Sequence, residues 1–119
     1  RGMYEDAKAA ALRYQDIFGK RKIFFLELQD HGIPEQQNVN QQLLKMHRET
    51  GIDLVATNDV HYTLAEDAQP HDVLLCLQTG KKLADQDRMR YEGGQYYVKS
   101  PEEMERLFSI CDRSIGKYA

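Results

Sequence analysis

The sequence predicts an α/β fold with parallel strands, and three observations carry that prediction. Segments with helical spacing alternate with short apolar runs in the order helix, strand, helix, strand. The connections between them are short, the pattern of strands joined by right-handed crossovers through helices. The second apolar run, Leu54-Val55-Ala56-Thr57, passes directly into Asn58-Asp59-Val60-His61-Tyr62. Polar groups therefore collect where a buried parallel strand would end, which is where such folds place their chemistry.

Each element has its own local cause. Residues 4–18 repeat apolar side chains at Tyr4, Ala7, Ala11, Tyr14 and Phe18, one face of a helix, with Glu5 and Asp6 in the first turn and Gly19 as its stop. Ile23-Phe24-Phe25-Leu26 with Leu28 reads as the first buried strand. Pro34 suits the first turn of a second helix whose apolar face is Val39, Leu43 and Met46 and which ends at Gly51. The strand over 54–57 follows. Thr63-Leu64-Ala65-Glu66 has the form of a capping box opening a third helix. Pro70 kinks that helix or restarts it over 70–78, and Gly80 closes it. From Lys81 to Lys99 the texture turns irregular, with at most one small strand at Tyr96-Tyr97-Val98. Ser100-Pro101-Glu102-Glu103 is a second capping box, opening a helix that runs to about Phe108.

Bulk properties narrow the function classes. A chain of 119 residues supports one domain at most, with one modest core. A net charge of −3 supplies no global basic field for nucleic acid or membrane, so any DNA contact is local. Cys76 and Cys111 form no CxxC pair, which fits free thiols in a reducing cytoplasm. No apolar run approaches the ~20 residues of a membrane span. The chain opens at Arg1, with its first methionine at position 3 already inside a helical pattern, and reads as a piece of something longer. It carries no phosphate-binding loop, GxGxxG, GxSxG or HExxH.

The chemistry centres on Asp59 and His61. In an extended backbone residues two apart leave on one face, and a carboxylate beside an imidazole can share a divalent cation. The plainer reading has Asp59 capping the next turn and His61 packed at the strand end. Glu27, Gln29, Asp30 and His31 end the preceding strand on the same rim, although Asp30-His31-Gly32 also reads as a simple turn. His47 is expected on the solvated side of its helix and His71 on a helix surface. Lys81, Lys82, Arg88, Arg90 and Tyr91, with Tyr96 and Tyr97, have the makings of a phosphate-and-base contact. Their interleaving with Asp85, Asp87 and Glu92 favours a solvated connector packed on a neighbouring domain. Cys76 sits in an apolar run and reads as core.

Three stretches carry a resemblance: 25–36 (FLELQDHGIPEQ), 55–62 (VATNDVHY) and 71–81 (HDVLLCLQTGK), continued by 88–91 (RMRY) and 95–104 (QYYVKSPEEM). Over about residues 3–110 the chain resembles the C-family replicative DNA polymerases of bacteria, in the C-terminal part of their PHP domain. The resemblance implies a partial PHP-type distorted βα barrel, TIM-like and parallel-stranded. Residues 1–80 would be its C-terminal βα units, and 81–119 a helical connector leading toward the polymerase palm. The family's final Asp-x-His ligand motif falls on Asp59 and His61, and no other residue here inherits a ligand role. Mn²⁺ or Zn²⁺ is then implied for the PHP site, with Mg²⁺ in a palm outside this sequence. The implied activity of the whole protein is DNA-directed DNA synthesis in the cytoplasm, with 3′–5′ exonuclease proofreading where the PHP metals are retained. The implied partners are DNA, deoxynucleotides, a sliding clamp, and proofreading or clamp-loader subunits, with no membrane. The alternatives are a stand-alone PHP phosphoesterase, which the 81–104 stretch speaks against, and a degenerate PHP domain kept as a docking platform.

Overall fold

A computed structural model of the chain describes residues 2–18 and 23–109. The expected helix stop at Gly19, the thiol of Cys111 and the end of the connector over 110–119 lie outside the described residues. Within them the order is α1 (Tyr4–Phe18), β1 (Leu26–Leu28), α2 (Pro34–Thr50), β2 (Leu54–Ala56), α3 (Ala68–Thr79) and α4 (Pro101–Leu107). The strands pair in parallel, with Leu26 opposite Leu54, Glu27 opposite Val55 and Leu28 opposite Ala56. Alternation then sends Leu26, Leu28, Leu54 and Ala56 to one buried face, while Glu27 is exposed.

That face is the floor of the core. Leu28, Ile52, Leu54 and Ala56 are at most 2% exposed, and Leu44 and Met46 of α2 close over them with Met104 of α4 and Phe108 at its C-cap. The strands are shorter than the apolar runs suggested. Ile23 is exposed, and pairing begins where the Leu26 N–H reaches the Asp53 carbonyl at 2.9 Å and ends with Thr57 N–H on the Leu28 carbonyl at 3.0 Å.

The helices follow their termini signals more closely than their predicted faces. Pro34 begins α2, and Gly51 ends it at φ 69°, its N–H returning to the His47 carbonyl at 2.8 Å. The buried side of α2 is Asn40, Leu44 and Met46 with Leu43 packed at its margin, so Met46 and Leu43 of the predicted stripe face the core and Val39 is exposed. Asn40 takes the inward place expected of Val39, its side-chain amide donating to the Gln29 carbonyl at the end of β1, at 2.9 Å. On α1 only Ala11 is buried, while Tyr14 and Phe18 stay exposed. Its attachment comes from the N-terminal half, where Tyr4 Oη and Lys8 Nζ both donate to Glu49 of α2, at 2.9 and 2.6 Å. These bonds hold the Glu49 carboxyl below its ordinary range, with the Lys8 bond the stronger cause.

The third helix enters through a 3-10 turn at Ala65–Asp67. Its reach-back is one residue later than expected: the Asp67 carboxylate accepts from the Leu64 N–H at 2.9 Å, so Leu64 rather than Thr63 holds the cap position. Pro70 falls inside the first turn of α3, where its missing N–H costs no helical bond. Gly80 closes the helix. The Ser100 capping box at α4 forms as predicted, with the Glu103 N–H on Ser100 Oγ at 3.2 Å and the Ser100 N–H on the Glu103 carboxylate at 2.8 Å. Among the described residues no helix is long and apolar enough to cross a membrane.

Two stability outcomes follow from this packing. Leu28→Ala, at a side chain with no exposure, is expected to lower unfolding free energy by about 2–5 kcal/mol in urea titration. Ser100→Ala should cost about 1 kcal/mol by the same measurement, with Ser100→Thr close to wild type.

Candidate functional site

The rim is built where β2 runs out. Past Thr57 the strand ladder has no further rungs, and the backbone turns at Asp59, whose φ of 45° makes it the one non-glycine left-handed residue among those described. Aspartate tolerates that conformation better than most side chains. Asp59 and His61 are therefore brought together by a turn, not by the extended backbone that the sequence suggested. His61 Nε2 lies 3.4 Å from Asp59 Oδ2, and both side chains are partly open to solvent.

The turn is held from downstream. Asn58 is buried, and its amide nitrogen donates to the carbonyls of Gln95 at 3.0 Å and Tyr97 at 2.7 Å. Its Oδ1 accepts from Lys99 Nζ at 3.1 Å, and Lys99 also donates to the Gln95 carbonyl. Burial pushes the Lys99 amine down from its ordinary value. The N–H of His61 donates to the Tyr96 carbonyl at 2.8 Å, and Tyr62 and Tyr97 form a parallel bridge. Of the small strand expected at Tyr96-Tyr97-Val98 only this one bridge forms.

His31 is a structural histidine. It is 3% exposed and stacks on Tyr96 with ring centroids 4.0 Å apart and planes 10° from parallel. With the proton on Nε2 it donates to the Asn58 carbonyl at 2.8 Å while Nδ1 accepts from the Gln36 side-chain amide at 3.0 Å, so one tautomer satisfies both contacts. Asp30 caps the Gly32 N–H at 2.9 Å, the turn reading of Asp30-His31-Gly32. Glu27 accepts from Thr57 Oγ1 at 2.6 Å and from Gln29 at 3.3 Å, a local cluster on the exposed side of the sheet. His47 is not simply solvated: its Nδ1 donates to the Ile52 carbonyl at 2.6 Å.

The segment that texture alone marked as a connector packs against the rim. The Tyr91 ring lies 4.2 Å from that of His61, 5.3 Å from that of His71 and 4.9 Å from that of Tyr96. His71 is correspondingly half-buried, 5.7 Å from the His61 ring and 5.2 Å from that of Tyr62, not free on a helix surface. Arg88, its side chain 3% exposed, grips Asp72 of α3 with two nitrogens at 2.5 and 2.7 Å. Lys81 lies 3.7 Å from Asp87, and Arg90 donates to the Asp85 carbonyl. Of these cations Arg88 is neutralised by a close, buried ion pair, whereas Lys81 and Arg90 stay exposed. Cys76 is buried in α3, as its apolar run implied.

Two donors bound to one tetrahedral ion at about 2.1 Å lie about 3.4 Å apart. The Asp59–His61 spacing therefore fits a shared cation as well as a direct carboxylate–imidazole contact. Among the described residues no group of three or more His, Cys, Asp or Glu is arranged to hold a metal. A concavity of about 860 Å³ between α1 and α2 is lined by residues such as Met3, Val39 and Leu43 and includes neither Asp59 nor His61.

No protein-family model matches the chain. Curated proteins do. The chain is similar to one stretch of DNA polymerase III subunit alpha. The Helicobacter pylori subunit is 43% identical over 106 residues, 89% of this chain and 9% of the relative. That of Campylobacter jejuni is 44% identical over 112 residues, 94% of this chain and 9% of the relative. That of Thermus aquaticus is 50% identical over 91 residues, 76% of this chain and 7% of the relative. The chain thus spans about a tenth or less of the length of the subunits it matches. Each aligned stretch is long enough that it must cross residues 59–61.

Two outcomes are expected from the way the rim is held. Asn58→Ala takes the side-chain donor from the half-buried Tyr97 carbonyl and one of two partners from the Gln95 carbonyl and from Lys99, and should destabilise the chain by about 1–3 kcal/mol in denaturant titration. Asp72 has its carboxyl held below the ordinary range, chiefly by the Arg88 hydrogen bonds. Its contribution is complete above the ordinary carboxylate value of about 3.9 and is lost as pH falls through the lower native value. Acid unfolding followed by circular dichroism should therefore be shallower in Asp72→Asn than in wild type.

Proposed function

We propose that residues 1–80 are the C-terminal βα units of a PHP domain in a bacterial replicative DNA polymerase, and that residues 81–119 lead toward its palm. Asp59 and His61 contribute two donors to a divalent-metal site on the PHP rim. The observation that carries this reading is the 3.4 Å approach of Asp59 Oδ2 to His61 Nε2 just past a parallel strand. The match to polymerase subunits over most of the chain supports the parent.

Mn²⁺ or Zn²⁺ bound there supplies Lewis acidity toward a phosphodiester, the chemistry of a 3′–5′ proofreading exonuclease. The chain's own part is to present an imidazole nitrogen and a carboxylate oxygen at fixed separation, with the rest of the donor set coming from elsewhere in the parent. The parent acts in the cytoplasm on DNA and deoxynucleotides, with Mg²⁺ in its palm. It works beside a sliding clamp and proofreading or clamp-loader subunits.

The test is metal content of the full-length polymerase after exhaustive dialysis. Asp59→Asn and His61→Ala should each lower retained Mn²⁺ or Zn²⁺ and, in parallel, 3′–5′ exonuclease rate. Unchanged metal in both variants would overturn the assignment and leave the domain a docking platform. The excised 119-residue chain should show neither primer extension nor phosphodiester hydrolysis, and turnover abolished by Asp59→Asn would contradict that.

A further inference from the structure

We propose that Tyr91 is a positioning residue for His61: its ring forms the wall that fixes the imidazole in the orientation that faces Asp59. The inference rests on the metal reading above for its functional meaning, but its geometry stands alone. His61 follows a left-handed turn at Asp59, and its backbone is pinned by the Tyr96 carbonyl at 2.8 Å. That bond fixes the Cα position and leaves the side-chain torsions free. The imidazole is held instead by rings, of which Tyr91 is nearest, at 4.2 Å and tilted 48°, with His71 and Tyr96 farther out at 5.7 and 5.8 Å.

Tyr91 is itself tightly located. It meets Tyr96 edge-on at 86° and His71 at 71°, and Tyr96 is locked against buried His31. Immediately after Tyr91 the chain makes a 3-10 turn at Glu92–Gly94, in which Gly93, at a φ of 86° that favours glycine, lies in contact range of the His31 carbonyl oxygen. Three residues before Tyr91, Arg88 is clamped to Asp72. The tyrosine is thus fixed on both sides in sequence, which a residue that merely covered the rim would not need. A ligand whose ring is pre-oriented loses less freedom on binding its ion, and outer-shell supports of this sort typically change metal affinity ten- to a hundredfold.

The experiment uses the full-length polymerase as wild type, Tyr91→Ala, Tyr91→Phe, His61→Ala and the Tyr91→Ala/His61→Ala double variant. Zn²⁺ affinity is read by chelator competition. Carbethoxylation of His61 is read by peptide mass spectrometry on metal-stripped protein at one fixed pH, with His47 as internal reference. Tyr91→Ala is expected to weaken Zn²⁺ about tenfold and to speed His61 modification relative to His47. Tyr91→Phe, which keeps the ring, should do neither, and Tyr91→Ala should add nothing once His61 is gone. Tyr91→Leu, which fills the space without an aromatic face, serves if the alanine variant fails to fold and should behave like it. No change in either readout in Tyr91→Ala or Tyr91→Leu overturns the proposal, as does an equal loss in Tyr91→Phe or a loss that persists without His61. Should Asp59→Asn and His61→Ala leave Zn²⁺ affinity untouched, the metal reading falls, while the carbethoxylation rate still decides whether Tyr91 holds the ring.

Discussion

The amide of Asn58 joins the two halves of this chain. A buried amide left without partners costs several kcal/mol, so it stays in the core only where each polar atom is met. Here the nitrogen bonds two carbonyls of the 95–97 segment, the side-chain oxygen takes the Lys99 ammonium, and the main-chain carbonyl takes His31. Among the described residues no buried side-chain nitrogen or oxygen is left over. The end of β2, the turn after β1 and the approach to α4 are therefore set by one residue's hydrogen-bonding capacity. The geometry of Asp59 and His61 is inherited from it.

Charge and burial are arranged around that joint in a consistent way. Burial, assisted by the Asp59 carboxylate, raises the Tyr96 hydroxyl above its ordinary value, so the group beside the rim stays a neutral phenol. Glu103 is held low by the Ser100 N–H and then by the Tyr97 hydroxyl, so the cap of α4 and the bridge residue Tyr97 share one carboxylate. The Arg88–Asp72 pair ties the irregular segment to α3 without placing a free cation on the surface. The polar network thus serves position before it serves any external ligand.

Much of this was legible in the sequence, because much of it is local. Helix starts at Pro34 and Ser100, stops at Gly51 and Gly80, and the two parallel strands are set by signals within a few residues of each other. The faces were less legible. On α2 Leu43 and Met46 face the core as their spacing suggested, but the buried asparagine Asn40 stands inward where Val39 was expected, because its bond to Gln29 is a tertiary fact. Asp59 and His61 could be paired from their spacing, although a left-handed turn rather than a strand does the pairing. Tyr91, Tyr96, His31 and His71 could not be grouped with them, since no local pattern links residues so far apart. The one available signal was an excess of tyrosines in a stretch too charged to be core.

The parallel bridge between Tyr62 and Tyr97 carries a consequence for the order of events during synthesis. A ribosome releases Asp59 and His61 long before it releases the residues that hold their backbone in place, and domains assemble roughly as they emerge. β1, α2 and β2 can meet as soon as they are out, since their contacts are short in sequence. The turn at Asp59 acquires its final shape only when the chain through Lys99 has left the exit tunnel and closed over it. Maturation of the rim is therefore timed by translation of the segment behind it, so a stalled or truncated nascent chain would present the aspartate and histidine without their enclosure.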